Sequence, residues 1–95
     1  MDFEWDPTKA ESNLRKHGIA FDFASRVFSD PNLIEQTDET DHDGEIREQV
    51  IGRVQEFVLY VVYTIRLEKV RIISARRATR NEYLEYWNGP ISVRS

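Results

Sequence analysis

Apolar and polar positions recur along the chain at two different spacings. Phe3-Glu4-Trp5 alternates apolar and polar residues and predicts a brief strand. Asp6-Pro7 follows as a helix start: the aspartate accepts from free amides of the first turn, and proline suits the first helical position. This helix is predicted from Pro7 to His17, with Gly18 as its left-handed cap and Ala10 and Leu14 marking its buried side. Phe23, Ala24, Val27 and Phe28 form a stripe at helical spacing, so a second helix is predicted from Asp22 to about Ser29, ended by Asp30-Pro31. Leu33–Gln36, Arg47–Arg53, Glu56–Thr64 and Val70–Ala75 read as strands from their β-branched and aromatic content. The acidic stretch from Asp38 to Gly44 reads as an exposed loop. Thr79-Arg80-Asn81-Glu82 is a capping box opening a last helix, with Tyr83, Tyr86 and Trp87 on one face and Gly89-Pro90 as its stop. A loose tail is expected after about residue 90.

The order is strand, helix, helix, four strands, helix. It predicts an α+β fold in which an antiparallel sheet packs against helices. Phe23, Val27, Phe28, Leu59, Val61, Ile72 and Trp87 are the expected core. The chain has 95 residues, 40% of them hydrophobic and 12% aromatic, which predicts a single domain with a small core. It has no cysteine, so disulfides and thiolate metal sites are excluded. No apolar run approaches the roughly 20 residues of a membrane span, and the acidic start MDFEWDPTK lacks a signal-peptide pattern, so a cytoplasmic location without membrane contact is expected.

A net charge of −4 argues at first against a nucleic-acid partner. The charge is uneven, however. Residues 1–44 carry eleven acidic and four basic residues, whereas residues 45–95 carry six acidic and nine basic ones. Between Arg66 and Arg80 six basic residues face one acidic residue. A local basic patch matters more to a polyanion than the average over the chain. The same distribution also fits a solvated surface with an acidic counterweight.

Lys9, Asn13 and His17 lie four apart and form one polar column on the first helix, in which Asn13 reads equally as an ordinary surface residue or as a brace for a neighbouring loop. His17, in the last turn, either caps exposed carbonyls or serves as a proton shuttle. Ser74 and Arg76 project to one side of their strand and Arg77 to the other, just before a helix N-terminus. Arginine suits phosphate because its planar fork donates two parallel hydrogen bonds. Arg53 and Arg66 sit at strand ends, and each arginine taken alone also reads as a surface ion pair. No convincing metal site, cofactor motif or glycine-rich phosphate loop is present.

Phe3-Glu4-Trp5-Asp6-Pro7 with Lys9 and Asn13, then Lys16-His17-Gly18, resembles the opening of the BrnT-like toxins. Phe21, Ala24, Val27-Phe28, Asp30-Pro31, Ile51-Gly52-Arg53, Val61-Val62-Tyr63-Thr64 with Arg66, and Arg71-Ile72-Ile73-Ser74-Ala75-Arg76 continue the likeness, with Thr79 and Glu82 after them. The resemblance implies a RelE-like fold and an RNA-cleaving toxin of a type II toxin–antitoxin pair. It implies a BrnA-like antitoxin that neutralises the toxin and alone carries it to operon DNA. By the same analogy, cleavage would need no metal or cofactor and would halt translation. His17 would be general acid or base. Arg53, Arg66 and Arg76 would stabilise phosphate charge, Ser74 would orient a phosphate oxygen or an arginine, and Lys9, Lys16 and Arg77 would hold RNA. The alternative is a catalytically weak binding module whose basic face chiefly docks the antitoxin.

Overall fold

The computed structural model describes residues 1–42 and 44–89. The strand β1 (Phe3–Glu4) leads into helix α1 (Pro7–His17). A short helix α2 (Phe21–Ala24) continues as a 3₁₀ segment, Ser25–Ser29. Strands β2 (Ile34–His42), β3 (Glu45–Val54), β4 (Phe57–Arg66) and β5 (Lys69–Arg77) follow, and helix α3 (Arg80–Asn88) comes last. The five strands form one sheet in the order β1-β5-β4-β3-β2. The architecture is α+β, as expected.

The sheet is mixed rather than wholly antiparallel. β1 runs parallel to β5, pairing Phe3 with Val70 and Glu4 with Arg71, and the Val70 amide donates to the Asp2 carbonyl at 2.9 Å. A parallel pair needs a long connection, and here nearly the whole chain lies between the two strands. The other pairs are antiparallel. The expected acidic loop is also corrected in part. β2 pairs with β3 as far as His42 opposite Glu45, with an irregularity between Asp38 and Asp41. The expected loose tail falls on residues 90–95, outside the described residues.

The predicted helix signals operate as the chemistry requires. The Asp6 carboxylate accepts from the Thr8 amide at 2.9 Å, and Gly18, at φ 72°, closes α1 by donating to the Leu14 carbonyl. The buried side of α1 differs from expectation. Leu14 is 49% exposed, while Asn13 is only 7% exposed. The second helix also tightens to a 3₁₀ turn after Ala24, so it is shorter than its apolar stripe suggests.

Two apolar layers cover the two sheet faces. On one, Ile19, Phe21, Ala24 and Val27 pack against Val50, Leu59, Val61, Tyr63, Val70, Ile72 and Ala75. Phe23 and Phe28 are partly buried at its rim. Contact there is close: a Cβ on Gly52 would stand 3.0 Å from the Val27 Cβ and 3.3 Å from its carbonyl oxygen, so the bare backbone of β3 admits the 3₁₀ segment. On the other face only Tyr86 of α3 is buried, over Ile51 and Val58. Trp87, expected in the core, is 50% exposed. One short helix covers only one end of that face.

Candidate nucleic-acid interface

The outer edge of β5 is finished by three different devices, and together they make a groove. β1 occupies the edge at Val70 and Arg71. The register then shifts: Val62 pairs with Ser74 but Tyr63 pairs with Ile72, leaving Ile73 as the extra residue of a bulge. Beyond the bulge the side chain of Asn13 takes the place of a strand. Its Oδ1 accepts from the Ala75 amide at 3.1 Å, and its Nδ2 donates to the Ala75 carbonyl at 2.8 Å and the Ile19 carbonyl at 2.9 Å. One carboxamide thereby ties α1, the turn after it and β5 together.

This brace sets the flanking polar residues of α1 beside the bulge. Lys9, Ser12, Asn13, Lys16 and His17 line a shallow groove of about 210 Å³ with Ile73 and Ser74. Lys9 and Lys16 are exposed and His17 is half-buried. His17 is the last residue of the helix, at its carbonyl end. The predicted polar column is therefore real, but its middle member is structural rather than superficial.

Ser74 and Arg76 lie two apart on β5, opposite Val62 and Tyr60. The Arg76 guanidinium stacks on the Tyr60 ring, 4.1 Å from its centroid. It donates to both oxygens of Glu82, at 2.8 and 3.0 Å, and to the Arg77 carbonyl at 3.1 Å. Glu82 closes the capping box as well, accepting from the Thr79 amide at 2.8 Å. Arg76 thus pins the start of α3 to the sheet. Arg77 turns to the opposite face, 4.8 Å from the Phe57 ring centroid.

Two of the expected arginines lie elsewhere. Arg66 is six residues beyond Tyr60, which pairs with Arg76, so about 20 Å separates the two along the sheet. It borders a different hollow with Glu45, Arg47, Glu48 and Thr64. Arg53 lies across α3 from Arg76. Its Nε donates to the Gln55 carbonyl at 2.6 Å, and its guanidinium is 5.5 Å from the Trp87 ring centroid. There it joins residues that the sequence did not single out for chemistry: Arg26, Ser29, Asp30, Asn32 and Tyr86 line a cleft of about 490 Å³ with it. The Asp-Pro pair that ends the second helix was the available signal for Asp30, but nothing in it announces a tyrosine partner 56 residues away.

Asp30 accepts from the Tyr86 hydroxyl at 2.6 Å and from the amides of Arg53 and Asn32 at 2.8 and 2.9 Å. Burial pushes its carboxyl up, but these hydrogen bonds and the Arg53 charge outweigh it and hold the acid below its ordinary value. Burial and the neighbouring carboxylate push the Tyr86 hydroxyl up to about 12. Glu82 repeats the logic of Asp30: burial raises it, while Arg76 and the Thr79 cap lower it further. Both carboxylates tether α3. A depressed folded pKa contributes stability above the unfolded value and loses it as pH falls. The urea midpoint should therefore hold at neutral pH and fall as pH drops through the ordinary values of 4.5 and 3.8 and below. The double variant Asp30→Asn, Glu82→Gln should show a shallower acid limb, and an equally steep one would contradict this tethering.

No helix among the described residues is long and apolar enough to cross a membrane. Nor do the described residues contain a group of three or more His, Cys, Asp or Glu side chains positioned to hold a metal ion. Comparison with curated proteins finds no match. Residues 5–82, well over half of the chain and including the α1–β5 groove, match the family described as the ribonuclease toxin, BrnT, of type II toxin–antitoxin systems. The chain belongs to that family, which implies an RNA target and an antitoxin partner.

Proposed function

We propose that this protein is an endoribonuclease that cleaves RNA without a divalent metal, and that the α1–β5 groove is where it does so. The observation that carries the reading is the gathering of His17, Lys9, Lys16 and Ser74 around one concavity beside a strand bulge. The RNA 2′-hydroxyl attacks the adjacent phosphorus and expels the 5′-oxygen, leaving a 2′,3′-cyclic phosphate and a 5′-hydroxyl. His17 takes or supplies the proton. Lys9 and Lys16 meet the phosphate charge that a metal would otherwise meet, and the Ser74 hydroxyl orients a non-bridging oxygen. Arg76, two residues along the strand from Ser74, spends much of its charge on Glu82 and acts chiefly by pinning the start of α3 to the sheet. Arg53 and Arg66 contribute to RNA affinity at a distance rather than at the scissile bond, as does Arg77 from the far face.

In keeping with the resemblance, the fold is RelE-like and the physiological result is inhibited translation. The antitoxin is BrnA-like and provides the contact with operon DNA, and the pair works in the cytoplasm. The test is cleavage of a short RNA by purified protein in excess EDTA. Cleavage should persist. Activity that disappears in EDTA and returns with added magnesium would overturn the metal-free reading.

A further inference from the structure

The cleft on the other side of α3 from Arg76 has a composition that the cleavage groove does not explain. Trp87 is half-exposed, and Tyr83 beside it is 47% exposed, with ring centroids 6.2 Å apart. Both follow the span matched by the family. Large aromatic side chains left in water cost stability unless something covers them. Arg53 lies over the Trp87 ring, and the only hydrogen bond of its guanidinium among the described residues is that from Nε to Gln55. Arg26, exposed on the same cleft, lies 5.7 Å from the Phe23 ring centroid, and no carboxylate pairs with it among the described residues. The one acid present, Asp30, is already engaged by the Tyr86 hydroxyl and two amides. Arg26 and Arg53 together outweigh the single Asp30 carboxylate, so the cleft is net positive, and the half-exposed Trp87 lies in the hollow that adjoins it.

We infer that this cleft and the adjoining hollow lined by Asn32, Ile34, Tyr86 and Trp87 form a second RNA subsite, in which a nucleobase stacks on Trp87 while Arg53 and Arg26 hold the neighbouring phosphate. Every base has a π face, so such a platform binds single strands with little sequence preference. The arginine-lined cleft, about 490 Å³, and the Trp87 hollow, about 340 Å³, each fall within the usual range for small-ligand sites. The chemistry favours a single-stranded polyanion over a protein segment, because aromatic faces are interleaved with arginines rather than merged into an apolar groove. The subsite also explains how a chain of net charge −4 engages RNA: a few local contacts replace a generally basic surface. The inference rests on the RNA-cleaving reading above, but its test reads binding alone.

The probe is a fluorescein-labelled, single-stranded oligonucleotide with 2′-O-methyl riboses, which cannot be cleaved by 2′-hydroxyl attack. Binding is followed by polarisation at several salt concentrations. Trp87→Ala should weaken binding by roughly 5- to 150-fold, the cost of losing one base stack. Trp87→Phe should retain most of the affinity. Arg26→Ala should weaken binding and reduce the salt slope by about 0.7, as one phosphate contact is lost from a single strand. Melting curves by circular dichroism check that each variant is folded, and Arg26→Ala keeps the test open if the tryptophan variants are not. Unchanged RNA affinity in folded Trp87→Ala and Arg26→Ala overturns the subsite while leaving cleavage standing. Unchanged RNA affinity together with lost affinity for the purified antitoxin assigns the face to the protein partner and also overturns it. A wild-type protein that neither binds nor cuts RNA fails the underlying reading instead.

Discussion

Replacing His17 by alanine lowers RNA cleavage by roughly 10²–10⁴-fold while leaving the fold intact. The magnitude is that of a positioned side chain which moves a proton in the transition state. The chemistry needs such a group because a ribose hydroxyl must lose a proton and the departing 5′-oxygen must gain one. His17 has the placement for it. It ends α1 in the groove that it lines with Ser74 and the exposed Lys9 and Lys16. It is half-buried and no hydrogen bond among the described residues of the core depends on it, so the variant should unfold within about 0.5 kcal/mol of the parent, as surface changes generally do. A fall in rate that tracks a fall in stability would make His17 a structural cap instead.

Asn13→Ala costs about 3 kcal/mol of stability, the largest single loss expected from any polar residue on α1. The substitution strands the amide and carbonyl of Ala75 and the carbonyl of Ile19 in a site where Asn13 itself is only 7% exposed. Each buried group left without a partner costs roughly 1–3 kcal/mol, discounted here because water can enter a truncated site. Total stabilities of domains are about 5–15 kcal/mol, so the loss is a large share. In thermal unfolding it corresponds to a drop of more than about 10 °C. Asn13→Asp should fare no better: a carboxylate accepts from the Ala75 amide but turns negative charge toward two carbonyl oxygens. A melting temperature within a degree or two of the parent would show that β5 needs no such brace.

These two residues also show how far a single sequence carries. The column Lys9, Asn13, His17 is legible because helical spacing puts it on one face. Which member turns inward is not legible, since that depends on β5 having an unpaired edge 62 residues later. The caps at Asp6-Pro7, Gly18 and Thr79–Glu82 were readable because capping is local chemistry. Leu14 and Trp87 misled for the opposite reason: an apolar residue marks a buried face only if another element covers it, and α3 covers just one end of its sheet face. The tight hairpin between β4 and β5 places Leu67 and Glu68 at φ 51° and 66°, a conformation usually signalled by glycine or asparagine. The three arginines expected at the scissile phosphate, Arg53, Arg66 and Arg76, shared strand ends and charge, but a strand has two ends. Arg66 and Arg76 lie at opposite ones, a separation that only the register of β4 on β5 reveals.

The central claim is that RNA is cut by its own 2′-hydroxyl within the α1–β5 groove. The most direct measurement compares two short RNAs, identical except for a single 2′-deoxy ribose at the cleavage site, incubated with purified protein in EDTA. The account predicts that the all-ribose RNA is cut to a 2′,3′-cyclic phosphate and a 5′-hydroxyl, and that the deoxy RNA survives at that bond. Equal cleavage of both RNAs at that position would contradict it.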